Sequence, residues 1–399
     1  MKKKNYLILL FCLFIFIFII SKKFFYTDKN NKNKKEILVL NWAEYIEPSI
    51  IQKFNEKPNN EFIVKQIFLP SNEIAINKIK SGNKYDVAIL SEYAIEQLKE
   101  KHLEKIDKEK IKQSYLFTED KKDFNYNDKF KKIKEKTNDN DVWDYNIPYL
   151  WGKLGLLYNK RKLNPDSKEL VFDEVKKTIE NYDNKVALYN NPFEVIFLGL
   201  IFNSGDISVN SKNSKEDIEK AKNWLIRFKS KHKNLSFITD QLLDRMKIKD
   251  EESYDIVLAY SGDARYLMKK NNNLDYYQFD DNGTNVWFDG LCLPKEGNKE
   301  GAYKFINFLL KKDNMKKNTE YIDFDSPYEL DYKNSILPLS VNKNDKILSY
   351  NPNNQCKEQI NEAWNQVYTY PDSKDKYLII ASLIILFFCF LIYLFLKYN

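Results

Sequence analysis

Short apolar runs alternate with amphipathic stretches through the first third of the chain, and this constrains the fold more than any other feature. EILVLNW (Glu36 to Trp42), EFIVKQIFL (Glu61 to Leu69) and YDVAILS (Tyr85 to Ser91) each read as a buried strand. EPSIIQKF, NEIAINKIK and EYAIEQLKE follow them with apolar residues at helical spacing. A second set comes later: KVALYN (Lys185 to Asn190), the helix PFEVIFLGLIF, the long helix KEDIEKAKNWLIRFK, DIVLAYSG (Asp255 to Gly262) and the helix ARYLMKK. NVWFDGLCLP (Asn285 to Pro294) then leads into KEGAYKFINFLLKK. Strand, helix, strand order requires crossovers, so the expected fold class is α/β, with a parallel sheet covered by helices on both faces. The chain is too long for one small core, which points to two lobes.

The apolar content is concentrated at the ends. From Tyr377 to Leu396, YLIIASLIILFFCFLIYLFL contains no charge over twenty residues. That matches a helix crossing a bilayer core of about 30 Å. The run from Tyr6 to Ile20 is shorter and is flanked by Lys2, Lys3, Lys4, Lys22 and Lys23, as in a signal anchor. No small-residue cleavage site follows, and Cys12 sits inside LLFCLF, unlike a lipoprotein cysteine. The expectation is a transmembrane helix at each end: an anchor over 1–21, a polar linker over 22–35 and a second span over 377–396, with the middle of the chain outside the cell.

Charge excludes more than it assigns. The 64 Lys and Arg exceed the 57 Asp and Glu by seven, but four are Arg and the lysines are spread along the chain. A nucleic-acid surface wants a clustered basic stripe with Arg, so no nucleic-acid partner is expected. Four cysteines form no disulfide framework: Cys12 and Cys389 lie in the apolar runs, and Cys292 and Cys356 are far apart. His102 and His232 are the only histidines, each beside lysines, and no HExxH, GxSxG, GxGxxG or CxxC pattern occurs. An enzyme is therefore not expected, nor a cofactor or metal.

In open parallel sheets ligands bind beyond the carboxyl ends of the strands, so those ends show the candidate site. Trp42, Ala43, Glu44 and Tyr45 follow the first strand, and Ser91 and Tyr93 the third. Asn191 and Glu194 follow KVALYN, Tyr260 and Asp263 close DIVLAY, and Trp287 and Asp289 lie within NVWFDG. The recurring pair is an aromatic ring and a carboxylate. Carboxylates bond to ammonium groups while rings pack on methylenes and attract cations, which suits a ligand with cationic ends and an apolar middle. Glu194 and Asp263 also fit as partners of helix N-termini. Asp289 does not, because a carboxylate in an apolar strand is costly to bury alone.

The string NWAEYIEPSIIQKF resembles the opening of the spermidine/putrescine-binding family of bacterial ABC importers. The resemblance continues through SNEIAINKIKSGNKYDVAILSEYAIEQL, KIDKEKI, IPYLWGKLGLLYN and VWFDGLCLPKEGNKEGAYKFINFLL in the family's order. It implies a two-lobed type II periplasmic-binding-protein fold, with 36–145 and 288–330 in one lobe, 146–287 and 331–370 in the other, and a polyamine held between them. The implied ligand-lining aromatics are Trp42, Tyr45, Tyr93, Tyr260 and Trp287, and the implied ammonium-binding carboxylates are Glu194, Asp263 and Asp289. Thr239 matches a minor polar contact. The chain departs from the family at Ala43, at Asn191 and at Phe324, and losing an acid at Asn191 fits either a shorter diamine or an altered pose. The implied partners are permease subunits and a separate ATPase, since no GxxxxGK[ST] loop occurs. Two alternatives stay open: another small cationic solute in the same fold, or a surface interaction protein with a degenerate pocket.

Overall fold

A computed structural model describes residues 34–119, 123–137, 140–163, 171–204, 214–238, 253–280, 282–331, 336–347, 355–371 and 373–398. The N-terminal apolar run and Thr239 lie outside them. Among the described residues nine strands form: β1 (Lys35–Trp42), β2 (Phe62–Leu69), β3 (Val87–Ser91), β4 (Ile147–Asn159), β5 (Val186–Tyr189), β6 (Leu235–Ile238), β7 (Ile256–Tyr260), β8 (Leu274–Tyr277) and β9 (Val286–Cys292). The helices used below are α1 (Pro48–Glu56), α2 (Asn72–Lys80), α3 (Glu92–His102), α4 (Asp128–Glu135), α5 (Phe172–Ile179), α6 (Pro192–Ser204), α7 (Ser214–Lys231), α8 (Ser261–Lys270), α9 (Lys299–Leu309), α10 (Lys312–Ile322), α11 (Gln355–Thr369) and α12 (Ser373–Tyr398).

The strands join in the order β2-β1-β3-β9-β4-β7-β5-β6, with β8 pairing onto β4. The two outer triplets are parallel, as the strand and helix alternation demands: β1 pairs with β2 and β3, and β5 with β6 and β7. The centre departs from the parallel expectation. There β9 runs antiparallel to β3 and β4, and β4 runs antiparallel to β7 and β8. These two strands carry the chain from one triplet to the other. The whole of IPYLWGKLGLLYN is buried, and a continuous apolar run shows burial but not direction.

Two hydrophobic clusters fill the interior. One holds Ile37, Val39, Ile89, Leu98, Phe130, Phe288 and Phe305 with the rest of the β2-β1-β3 side. The other packs α6, α7 and α11 against β5 and β7 through Phe197, Phe202, Trp224, Leu258 and Trp364. β4 serves both, with Tyr149 and Trp151 in the first and Leu154 and Leu156 in the second. Local chemistry fixes the helix starts. Pro48 opens α1, Ser71 accepts the Ile74 N–H at the start of α2, and Asn127 and Asn298 cap α4 and α9 through their side-chain oxygens.

The expected membrane spans do not emerge from this architecture. Among the described residues no helix is long and apolar enough to cross a membrane. Within α12 the side chains from Leu383 to Tyr393 that are large and apolar are all exposed, Leu386 at 64% and Ile385 at 62%. The protein's own core leaves that face uncovered.

Candidate functional site

The last residue of every parallel strand faces one cavity of about 360 Å³: Trp42, Leu69, Ser91, Tyr189, Ile238 and Tyr260. The two triplets thus point their carboxyl ends at a shared space, and β9 runs through it carrying Trp287 and Asp289. All eight residues expected from the sequence line this cavity, although they come from separate elements. Tyr45, Glu194, Trp287 and Asp289 are buried, while Trp42, Tyr93, Tyr260 and Asp263 keep part of their surface, which faces the cavity.

Each expected carboxylate is bonded to hydroxyl groups. Tyr45 donates to Asp289 Oδ2 at 2.6 Å and Ser91 to Asp289 Oδ1 at 2.7 Å. Ser91 is itself held by Asn72, whose Nδ2 donates to its Oγ at 2.9 Å. Tyr260 donates to Glu194 Oε1, and Oε2 of that glutamate is buried without a partner. Tyr189 donates to Asp263 Oδ2 at 3.3 Å. Glu194 and Asp263 stand in the first turns of α6 and α8, where the helix dipole favours an acid.

Burial raises all three acids. It lifts Glu194 to about 7, against the lowering effect of the Tyr260 hydroxyl. Asp263 rises to about 6 with Tyr189 pulling down, and Asp289 to about 6 with Tyr45 and Ser91 pulling down. Burial, with some repulsion from Asp289, also pushes Glu92 well above the usual carboxylate range. Among the described residues no Lys, Arg or His lines the cavity. Among the described residues the site is therefore a set of acids without positive side chains beside them, in surroundings that disfavour their charge.

Aromatic rings build the walls. Tyr189 stacks on Tyr260 at 5.1 Å, Tyr260 meets Trp287 edge-on at 5.6 Å, and Trp287 meets Phe324 at 5.1 Å. Tyr93 of α3 stacks on Phe193 of α6 at 6.3 Å. Two glycines make room for these rings. A Cβ on Gly262 would come within 2.4 Å of the Phe324 ring, and one on Gly152 within 2.8 Å of Trp287 Cζ2. All three departures from the family pattern lie on the cavity wall. Ala43 offers no hydroxyl, Asn191 commits its side-chain oxygen to the Phe193 N–H at 2.9 Å, and Phe324 contributes a ring.

Sequence reasoning missed Tyr189, Glu92, Phe193, Asn72 and Asn285, which also line the cavity. Tyr189 was open to discovery, since it closes the strand of KVALYN, and the strand-end rule applies to it as to Tyr260. Glu92 carried no signal, because a glutamate opening a helix is ordinary. Its Oε2 accepts the Phe288 N–H at 3.2 Å, which ties α3 to β9. Among the described residues no group of His, Cys, Asp and Glu is arranged to hold a metal ion.

The family model described as bacterial extracellular solute-binding protein matches residues 49–332. The chain belongs to the bacterial extracellular solute-binding proteins. Its relatives include the spermidine/putrescine-binding periplasmic protein of Escherichia coli, 28% identical over 309 residues, with 76% of this chain and 79% of the relative covered. The putrescine-binding periplasmic protein SpuD of Pseudomonas aeruginosa is 26% identical over 310 residues, covering 73% and 78%. Among solved structures, a putative spermidine/putrescine ABC transporter protein from Listeria monocytogenes superposes with a TM-score of 0.67 at 26% identity, over 84% of this chain and 99% of that one. The two-lobed α/β fold expected from the sequence is thus the fold of this solute-binding protein. A solute-binding protein captures its ligand unchanged, so it is not an enzyme.

Proposed function

We propose that this solute-binding protein holds a polyamine, putrescine or spermidine, in the cavity between its two triplets of strands. One observation carries the reading: the buried carboxylates Glu194 and Asp289 and the half-buried Asp263 share an aromatic-walled space that no basic side chain lines among the described residues. A polyamine supplies both missing components, ammonium groups for the acids and methylenes for the rings. Burying the acids is costly until a cation arrives, and burying the cation is costly until the acids receive it. The likeness to spermidine/putrescine-binding relatives supports the same ligand class. Trp42, Tyr45, Tyr93, Tyr260 and Trp287 are the proposed ring contacts.

The lobes are proposed as 36–145 with 288–330 and 146–287 with 331–370, closing about β4 and β9 in the manner of a hinge. The closed form would be recognised by permease subunits driven by a separate ATPase. The apolar runs at 1–21 and 377–396 are proposed to tether the protein to the plasma membrane, with the lobes on the extracellular side. Support comes from the lack of charge in the second run and from the exposed apolar side chains of α12.

Calorimetric titration of the full chain in mild detergent with putrescine and spermidine tests the ligand. Saturable heat with either one is expected. Absence of heat and of any thermal shift with both would remove the polyamine assignment.

A further inference from the structure

Two tyrosines exchange partners across neighbouring strands in the cavity wall. Tyr189 closes β5 yet bonds to Asp263, which stands in the helix after β7. Tyr260 closes β7 yet bonds to Glu194, which stands in the helix after β5. β5 and β7 pair in parallel, and this brings the two rings into a stack with centroids 5.1 Å apart and planes 27° apart. The acids differ in the other rings they meet, while Tyr189 lies within reach of both Asp263 and Glu194. Tyr45 bonds to Asp289 and lies within electrostatic reach of Asp263, while Tyr93 lies within reach of Glu194 and Glu73.

We infer that Tyr189 is a length-selecting residue: with Tyr260 it forms an aromatic partition that leaves the cavity two acidic poles, Asp263 with Asp289 and Glu194, and so fits it to a diamine. The inference rests on the polyamine reading and names the ligand class within it. Two ammonium groups satisfy two poles, with the methylenes lying along the stacked rings. Among the described residues a third ammonium has no such place, since Glu92, the remaining acid of the lining, lies within reach of Asp289 and so belongs to its pole, with Oε2 already taken by the Phe288 N–H. Apart from Asp263, the described wall beside Tyr189 consists of Asn190, Asn191 and Ile238, which carry no charge, and the Asn191 oxygen is already taken by the Phe193 N–H. An ammonium buried there would lack a carboxylate, and such a charge is expensive.

The test compares putrescine with spermidine by calorimetry on the full chain, for the wild type and two variants. The wild type is expected to bind putrescine at least about tenfold more tightly than spermidine, the scale of one misplaced charge at a partly shielded site. Tyr189→Ala removes the partition and should shift that ratio toward spermidine by about tenfold. Tyr189→Phe keeps the stack and loses only the hydroxyl, so it should weaken both ligands and leave the ratio within about threefold of wild type. Equal binding of the two ligands by the wild type would overturn the inference and leave the polyamine reading standing. So would an unchanged ratio in Tyr189→Ala, or a tenfold shift in Tyr189→Phe, which would place the selection in the hydroxyl. Failure of the wild type to bind either ligand would instead overturn the polyamine reading and the inference with it.

Discussion

Asp289 and Glu194 are both buried acids on the same cavity, but the protein prepares them differently. Asp289 lies in the interior of β9, and each of its oxygens is bonded to a hydroxyl from a distant part of the sequence, Tyr45 and Ser91. Glu194 opens a helix, receives one hydroxyl, and keeps one oxygen without a partner. Burial is opposed by two donors at Asp289 and mainly by one at Glu194, and from ordinary values of 3.8 and 4.5 the first rises to about 6 and the second to about 7. Asp289 is thus a largely charged, oriented acceptor at neutral pH, whereas Glu194 becomes one when a cation arrives.

The largest expected effect is at Asp289. Asp289→Asn should cost putrescine affinity about a hundredfold to a thousandfold by calorimetry, because it removes one side of a buried ion pair. Glu194→Gln should cost less, about tenfold to a hundredfold, since half of that carboxyl's charge is already absent at neutral pH. Equal losses would break the comparison between the two sites.

Acidification has the next largest effect. Ammonium binding requires charged carboxylates, so affinity should fall by roughly tenfold or more from pH 8 to pH 5, first through Glu194 near 7 and then through Asp263 and Asp289 near 6. The ligand-free protein should respond with the opposite sign. A carboxyl whose folded-state pKa lies above its unfolded value of about 4 binds more protons when folded, so its contribution to stability is full below about 4 and is lost as pH rises through 6 to 7. Melting temperature measured with and without putrescine over this range should therefore show a ligand-induced gain that grows with pH. A gain independent of pH would mean that these acids do not carry the binding.

Tyr93→Phe should have the smallest effect. Its hydroxyl donates to Glu73 at 3.1 Å, outside the cavity lining, while its ring stack on Phe193 survives the substitution. A loss of about threefold in affinity is expected, the value of one partly exposed neutral-to-charged hydrogen bond. A loss as large as that at Glu194 would extend the ligand contacts to Tyr93's hydroxyl and blur the distinction between prepared and waiting acids.

Much of this arrangement was legible in the sequence. The runs at Glu36, Glu61 and Tyr85 and those at Lys185 and Asp255 are strands, because buried parallel strands are apolar throughout and are separated by helices with a periodic apolar face. Placing function at their ends led to Trp42, Tyr45, Tyr93, Glu194, Tyr260, Asp263, Trp287 and Asp289, and the fold brings all eight to one cavity. The direction of β4 and β9 was not legible, since burial alone is the same for parallel and antiparallel neighbours. Glu92 was hidden for a related reason: its first-turn position looks like that of many exposed acids, and only the packing of α3 on β9 buries it.

By itself the sequence determined the alternation of elements, the apolar ends and the chemical types gathered at the strand termini, because these follow from local periodicity and residue character. Tertiary structure alone decided that the carboxyl ends of both triplets face each other, that Tyr45 and Ser91 meet Asp289, and that Tyr189 and Tyr260 exchange partners across two strands. Those contacts join residues 66 to 244 positions apart. The pairing of β9 with β3 sets Ser91 against Asp289, and the pairing of β5 with β7 brings the two tyrosines to each other's acids; no local pattern records which strands become neighbours.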